Sequence, residues 1–433
     1  MKKFLASIIA VVLAVSGLSV ISITANAATI FISGNYEYTV NSDDTVNIAG
    51  YKGIATDITI PSQILNKNVV KISANSFYNN STLTSVKIPN TIKVVGSMAF
   101  YGCKNLSSVT LPNTLTEIGY NAFDGTTALT TITIPKTVTI PKTVTKAGID
   151  VFNGSALKTA TIENGATTVA DNLFSNAKNL TKVTIPNTVK KVGSMSFYHC
   201  EKLSSVTLPN TLTEIGYSAF NGTTALTTIT IPKTVIKAGS DVFEDSGLKT
   251  AIIENGATSV PNNLFSKATN LTQITIPNTV KKIGSMSFYD CTKLSSVTLP
   301  NTLTSIETSA FKNCQAMKSI TIPKSVTYFG TTAVGYSDGR VIDGFIIYGY
   351  KNTKAQTYAT KNKITFKALQ EETVPVGDIN NDGKIDVSDV TYLQMYLSGN
   401  SSYVIKNTKA ADANGDGKID VADVTKIQTI IAS

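Results

Sequence analysis

The chain has 433 residues, 42% of them hydrophobic and 15% charged, with a net charge of +9, four cysteines, one histidine and no tryptophan. That length exceeds what one ordinary core absorbs, so several domains or a repeat array are expected. The lysines behind the charge are scattered, as at Lys190, Lys191, Lys281 and Lys282, and are not clustered with aromatics. This argues against a nucleic-acid binder and leaves a solvated surface, or a basic face for anionic cell-wall polymer.

At the N-terminus, Lys2 and Lys3 precede a mostly apolar run from Phe4 to about Ile23, and Ala25-Asn26-Ala27 supplies a small-x-small cleavage pattern. Residues 1–27 therefore read as a secretory signal peptide, with the mature chain starting near Ala28. No later stretch approaches the ~20 apolar residues of a membrane span, so an exported, soluble protein without a membrane span is expected after cleavage.

The middle of the chain repeats. Units start at Leu83, Leu106, Leu129, Leu157, Leu180, Leu203, Leu226, Leu248, Leu271, Leu294 and Met317, mostly 23 residues apart. A period in the twenties marks a leucine-rich-repeat solenoid, in which each coil buries its apolar residues only against its neighbours. In the first unit Val86 and Ile88 alternate with Ser85 and Lys87 as on a strand. Pro89, lacking an N–H, stops the ladder, and Gly96 marks a second turn that a residue without Cβ makes tight. Gly-Ser-Met-(Ala/Ser)-Phe-Tyr at Gly96, Gly193 and Gly284 reveals a duplicated block of four coils. The 28-residue step at Leu129 contains Thr133 to Val138 repeated as Thr139 to Val144, which reads as a six-residue insertion looping outward.

Cys103, Cys200, Cys291 and Cys314 occupy one position of the unit. Cys103 and Cys200 are four coils apart, ~20 Å at strand spacing and far beyond disulfide reach; only Cys291 and Cys314, in adjacent coils, could bridge. The outward strand positions, Ser108, Thr110, Thr131, Thr133, Lys182, Thr184, Ser205, Thr207, Gln273, Thr275, Ser296 and Thr298, should line the concave face. They form either a ligand surface for an unknown protein or glycan, or simply threonine chosen for strand propensity on a wet face.

After Gln370-Glu371-Glu372-Thr373-Val374-Pro375 the composition changes. Asp378, Asn380, Asp382, Gly383, Lys384, Asp386 and Asp389 take positions 1, 3, 5, 6, 7, 9 and 12 of a calcium loop, and Asp412, Asn414, Asp416, Gly417, Lys418, Asp420 and Asp423 repeat it. Hard oxygens at this spacing wrap a calcium ion, the lysines through their backbone carbonyls, so two Ca²⁺ are expected. No entering helix is expected before either loop; each runs into an exiting helix, Val387 to Leu397 and Val421 to Ile431.

The repeat unit, with its Phe-x-x-Cys-x-x-Leu at Phe100 to Leu106 and Phe288 to Leu294, resembles the BspA-like leucine-rich repeat. The flanks resemble that family's caps: Tyr36-Glu37-Tyr38 through Gly53 at the N-terminal end, and Ile347 to Tyr350 with Tyr358-Ala359 and Ile364 to Phe366 at the other. The duplicated loop-helix resembles the type I dockerin. The resemblances imply a β-rich leucine-rich-repeat solenoid with caps at both ends, followed by a small all-α calcium-binding domain. The expected boundaries are 28–57 for the first cap, 58–335 for the solenoid, 336–369 for the second cap, 370–376 for a linker and 377–433 for the dockerin. The dockerin resemblance further implies a cohesin partner on the scaffold of a cellulosome-like, polysaccharide-degrading complex. It would be recognised through Val387, Ser388, Gln394 and Met395 in the first half and Val421, Ala422, Gln428 and Thr429 in the second. The Gln-Met and Gln-Thr pairs depart from the basic pair often seen, and Met395 could instead fill a gap in the small core.

Dockerins usually ride on glycoside hydrolases, which need two carboxylates across a cleft. Glu117 with Glu214, and Glu163 with Glu254, are copies of single repeat positions, and His199 is the one histidine, with Gly102 and Asp290 as its counterparts. A secreted, non-catalytic adhesion or interaction protein attached to a scaffold or cell surface is therefore expected, with a carbohydrate-active or carbohydrate-binding component as the alternative.

Overall fold

A computed structural model describes residues 29–134, 150–370, 375–405 and 407–433. It divides into two units, residues 1–367 and 368–433.

The first unit opens with antiparallel strands Phe31–Ser33, Tyr36–Val40 and Val46–Tyr51. The last hands over in parallel to Lys67–Ile72. From there each coil contributes up to two short strands, and all ladders between coils are parallel. The first ladder includes Thr228–Ile231, Thr250–Ile253 and Gln273–Thr275; the second includes Lys191–Val192, Glu214–Ile215 and Lys237–Ala238. Across the 28-residue step the register holds, Thr131 facing Thr159 and Ile132 facing Ala160. The inserted hexapeptide itself lies mostly outside the described residues, as does the signal segment.

The alternation is as the strand reading requires, with Val86 and Ile88 buried and Lys87 exposed. The glycine has a different reason from the one expected. Gly96 has no left-handed φ; instead a Cβ there would lie 2.6 Å from Ala74 N and 2.7 Å from Ser73 C of the preceding coil. Gly119, Gly216 and Gly239 face the same obstruction, so close approach of backbones, and not turn geometry, selects glycine. The residue that takes the left-handed conformation is two places on, Met98 at φ 54° and Met195 at 52°.

The core is a column. The rings of Phe77, Phe100, Phe123, Phe152, Phe174, Phe197, Phe220, Phe243, Phe265, Phe288 and Phe311 stack on one another with centroids 4.9–5.8 Å apart. Beside it, threonine hydroxyls tie coil to coil: Thr211 Oγ1 donates to Val189 O at 2.7 Å and Thr234 Oγ1 to Leu212 O at 2.6 Å.

All four cysteines are free and buried, Cys291 and Cys314 included. Each thiol points at a phenylalanine carbonyl of the preceding coil, as Cys103 Sγ to Phe77 O at 3.0 Å and Cys314 Sγ to Phe288 O at 3.2 Å. Burial pushes the Cys103 and Cys314 thiols up to about 12. Because the folded value is raised, stability is full below the ordinary thiol pKa and falls as pH climbs through 9 towards 12. At pH 8 iodoacetamide should label no cysteine in the native chain and four in denaturant; a pair resistant in denaturant would reveal a bridge.

The second ladder is interrupted between Lys237–Ala238 and Ser259–Val260. In the coils before it, Gly216 N–H binds Val192 O and Gly239 N–H binds Ile215 O. Pro261 sits at that position and has no N–H to give Ala238 O. Glu307 also replaces the glycine, yet keeps the ladder through its N–H to Ile283 O. Pro261 thus withdraws one rung, and Ser259 N likewise makes no bond to Ile236 O, so the two coils part over more than one residue.

The far end of the unit carries a helix that the pattern had not indicated, α1 (Lys354–Lys361). Strand Ile346–Gly349 before it extends the first ladder alongside Ser319–Thr321.

In the second unit helices α2 (Val387–Leu397), α3 (Thr408–Ala411) and α4 (Val421–Ala432) enclose Ile379, Val390, Leu393, Ala411, Val424 and Ile427. The expectation that neither loop has an entering helix is corrected for the second. One helical turn, α3, leads into Asp412 because the Asn407 side chain accepts from Lys409 N and Ala410 N at its start.

Candidate functional site

The two loops share most of their hydrogen bonds. Asp378 accepts from Asp382 N at 3.1 Å and Gly383 N at 3.0 Å; Asp412 accepts from Asp416 N at 3.0 Å and Gly417 N at 2.9 Å. Asn380 and Asn414 accept from the same amides, of Asp382 and Asp416, at 2.9 and 2.8 Å. Asp382 and Asp416 take the N–H of Lys384 and Lys418. Gly383 and Gly417 sit at φ 87° and 84° with open space where a Cβ would be, so here backbone conformation alone requires glycine.

Helix starts are coupled to the loops. Asp386 and Asp420 are N-caps of α2 and α4, and each pairs with the aspartate three residues on in a reciprocal capping box. Those partners, Asp389 and Asp423, are fully buried. Asp389 accepts from Ile379 N at 2.7 Å, Asn380 N at 3.0 Å and Asp386 N at 3.0 Å; Asp423 accepts from Asn414 N and Asp420 N. A buried carboxylate is retained in its charged form only when donors or a cation surround it. The Ser388 hydroxyl and amide hold the Asp386 carboxyl below the usual carboxylate range.

Among the described residues no three Asp, Glu, His or Cys side chains close on a common point. The carboxylates are turned onto backbone N–H groups, and the loop donor set includes amides and a backbone carbonyl besides them. Five hard side-chain oxygen donors per loop on an Asx-rich backbone suit a calcium-sized cation, so the residues present fit that ion.

The recognition positions are mostly on the surface. Val387 and Val421 are 68% and 69% exposed at the first turns of their helices, and Ser388, Gln394, Ala422, Gln428 and Thr429 are exposed too. Met395 is half-buried. The halves differ at two points: Asp389 accepts from Ile379 N where Asp423 has no such bond from Ala413 N, and Ser388 Oγ donates to Asp386 and accepts from Asn380 Nδ2 at 2.8 Å, a link that Ala422 cannot make.

In the first unit the twelve outward strand residues from Ser108 to Thr298 are all exposed. Two shallow clefts of about 360 and 300 Å³ open on this face, one between Ser108–Thr110 and Thr131–Thr133, the other between Ser205–Thr207 and Thr228–Thr230. They are the same place in successive four-coil blocks. Glu214 is paired with Lys191 at 2.7 Å, Glu254 accepts from Lys233 N, and His199 lies edge-on to Tyr198.

A BspA type leucine rich repeat region model matches in six copies over residues 70–143, 136–249 and 237–363, more than half of the chain. The chain belongs to the BspA-type leucine-rich-repeat family. Residues 376–431 match the dockerin type I domain, so this BspA-type chain ends in a type I dockerin. No curated protein matches it. Similar solved structures include a leucine rich cell surface protein from Faecalibacterium prausnitzii A2-165, 25% identical, covering 71% of this chain and 96% of that one at TM-score 0.41. Others are leucine-rich repeat proteins from Eubacterium ventriosum, 26% identical over 71% and 94% at 0.41, and from Bacteroides ovatus, 24% over 78% and 100% at 0.44. Type I dockerins bind calcium and dock onto cohesins in cellulosome-like assemblies, and leucine-rich repeats are binding modules; neither module is catalytic. Among the described residues no helix is long and apolar enough to cross a membrane.

Sequence reasoning missed the C-terminal helix α1 and the residues it faces, Tyr328 and Tyr336. The signal was a tyrosine where the other described coils carry lysine, valine, glutamate, threonine or serine.

Proposed function

We propose that this is a secreted, non-catalytic binding protein whose dockerin, folded around two calcium ions, attaches a leucine-rich-repeat interaction module to a cohesin-bearing scaffold. In this reading residues 1–27 are removed on export, 28–57 and 336–369 cap the solenoid of 58–335, 370–376 link, and 377–433 dock. Asp378, Asn380, Asp382, Lys384, Asp386 and Asp389 hold one ion, the lysine by its carbonyl, and Asp412, Asn414, Asp416, Lys418, Asp420 and Asp423 hold the other. The bound ion supplies the positive charge that lets these carboxylates crowd together. The observation that carries this is the shared hydrogen-bond pattern of the two loops, each ending on a fully buried aspartate. The exposed hydroxyl face of the solenoid is assigned to a protein or glycan ligand, and polysaccharide breakdown is a property of the assembly.

Because the halves are near-copies, changing Ser388, Gln394 and Met395 should leave cohesin binding within about threefold, and changing Ala422, Gln428 and Thr429 as well should abolish it. Calorimetry with cohesins of the source organism checks this. Binding that persists in excess EDTA, or none from any cohesin in calcium, overturns the docking assignment.

A further inference from the structure

The second ladder ends at strand Tyr328–Phe329, which among the described residues has no coil strand on its far side. One coil earlier, Thr304 O accepts from Thr327 N and Tyr328 N, and Ile306 O accepts from Gly330 N. The matching carbonyls of the last coil, Thr327 O and Phe329 O, accept no hydrogen bond among the described residues. Helix α1 covers part of this edge. Its Tyr358 ring stacks on Phe329 at 4.6 Å, and its hydroxyl exchanges hydrogen bonds with Val334 N and O.

Beside that contact a cleft of about 370 Å³ remains between Thr327–Thr332 and α1, a size that suits a small ligand. Tyr328, 50% exposed, presents its ring on one side. Lys354 and Lys361 stand on the other, about 10 Å apart along the helix and, among the described residues, without carboxylate partners.

We propose that this cleft binds an acidic saccharide, a uronate-containing oligosaccharide. The free carbonyls call for donors, which sugar hydroxyls supply. The two ammonium groups call for anions, which uronate carboxylates supply. The electron-rich face of Tyr328 suits the C–H face of a pyranose ring. A neutral sugar leaves both ammonium groups without counter-charge. An acidic peptide strand that continued the ladder would have to place its side chain where the Tyr358 ring already stacks on that of Phe329. The inference rests on the solenoid being the ligand-bearing half of the chain.

Calorimetry of the full chain in calcium, with trigalacturonic acid as probe and cellotriose and hexaglutamate as controls, tests it. Trigalacturonic acid should bind once per chain and more weakly as salt rises. Tyr328→Ala, and Lys354→Gln with Lys361→Gln, should each weaken it at least ~10-fold. All three side chains are exposed, so melting temperature should hold. Cohesin docking should be unchanged in these variants, which separates a failure here from a failure of the docking reading. No binding of the probe, binding unaltered in the variants, equal binding of cellotriose, or stronger binding of hexaglutamate would each overturn the assignment.

Discussion

Asp389→Ala combined with Asp423→Ala should leave residues 375–433 unfolded at any calcium concentration, while the solenoid melts as before. Asp389 is fully buried and is the sole acceptor for three backbone N–H groups, at residues 379, 380 and 386. Each buried donor left without a partner costs about 1–3 kcal/mol. Truncation also deletes one of the proposed calcium ligands and half of the capping box that starts α2. The small core of Ile379, Val390, Leu393, Val424 and Ile427 cannot offset losses of that size twice over. Asp389→Asn with Asp423→Asn separates the contributions: the amide keeps an acceptor but loses the charge, so folding should need far more calcium. Circular dichroism during a calcium titration reads both. A double alanine variant that folds in calcium would show that the buried aspartates are not the hinge of the loops.

Phe220→Ala should lower the stability of the solenoid by about 3–5 kcal/mol, the usual cost of emptying a ring-sized volume in a packed core. Phe220 lies between Phe197 at 5.2 Å and Phe243 at 5.5 Å, so both neighbours lose a face. In a stacked array stability is approximately a sum of coil and interface contributions, and the damage should be local. Hydrogen exchange should therefore speed up around Thr213–Ile253 and stay unchanged in the dockerin, with or without calcium. Uniform exchange along the whole solenoid would mean that the array melts as one block.

What the sequence reveals is whatever repeats along the chain. The period of the coils, the inward strand residues and the starts of α2 and α4 follow from spacing alone, since each is fixed by residues a few places apart. What it hides is set between coils. Gly96 reads as a turn residue until the backbone of Ser73 and Ala74 is found against it. Nothing in the spacing singles out Thr211, yet its hydroxyl binds Val189 O, 22 residues away. The phenylalanines announce burial but not that their rings form one column. Helix α1 has no repeat to betray it, and α3 is a single turn held by Asn407, too short for any periodicity to register.

The register across the 28-residue step has a consequence for how such a chain can change. Thr131 faces Thr159 and Ile132 faces Ala160, as though no extra residues had been added between them. A coil is held by its neighbours through a few fixed rungs, so a copying error that lengthens one coil is not passed to the next. Whole coils, or blocks of four, can be gained or lost in the same way without the rest having to repack. Lineages carrying this gene are therefore expected to differ in array length far more readily than in the sequence of the rungs, and reach along the stacking axis becomes a trait that selection can adjust in steps of one coil.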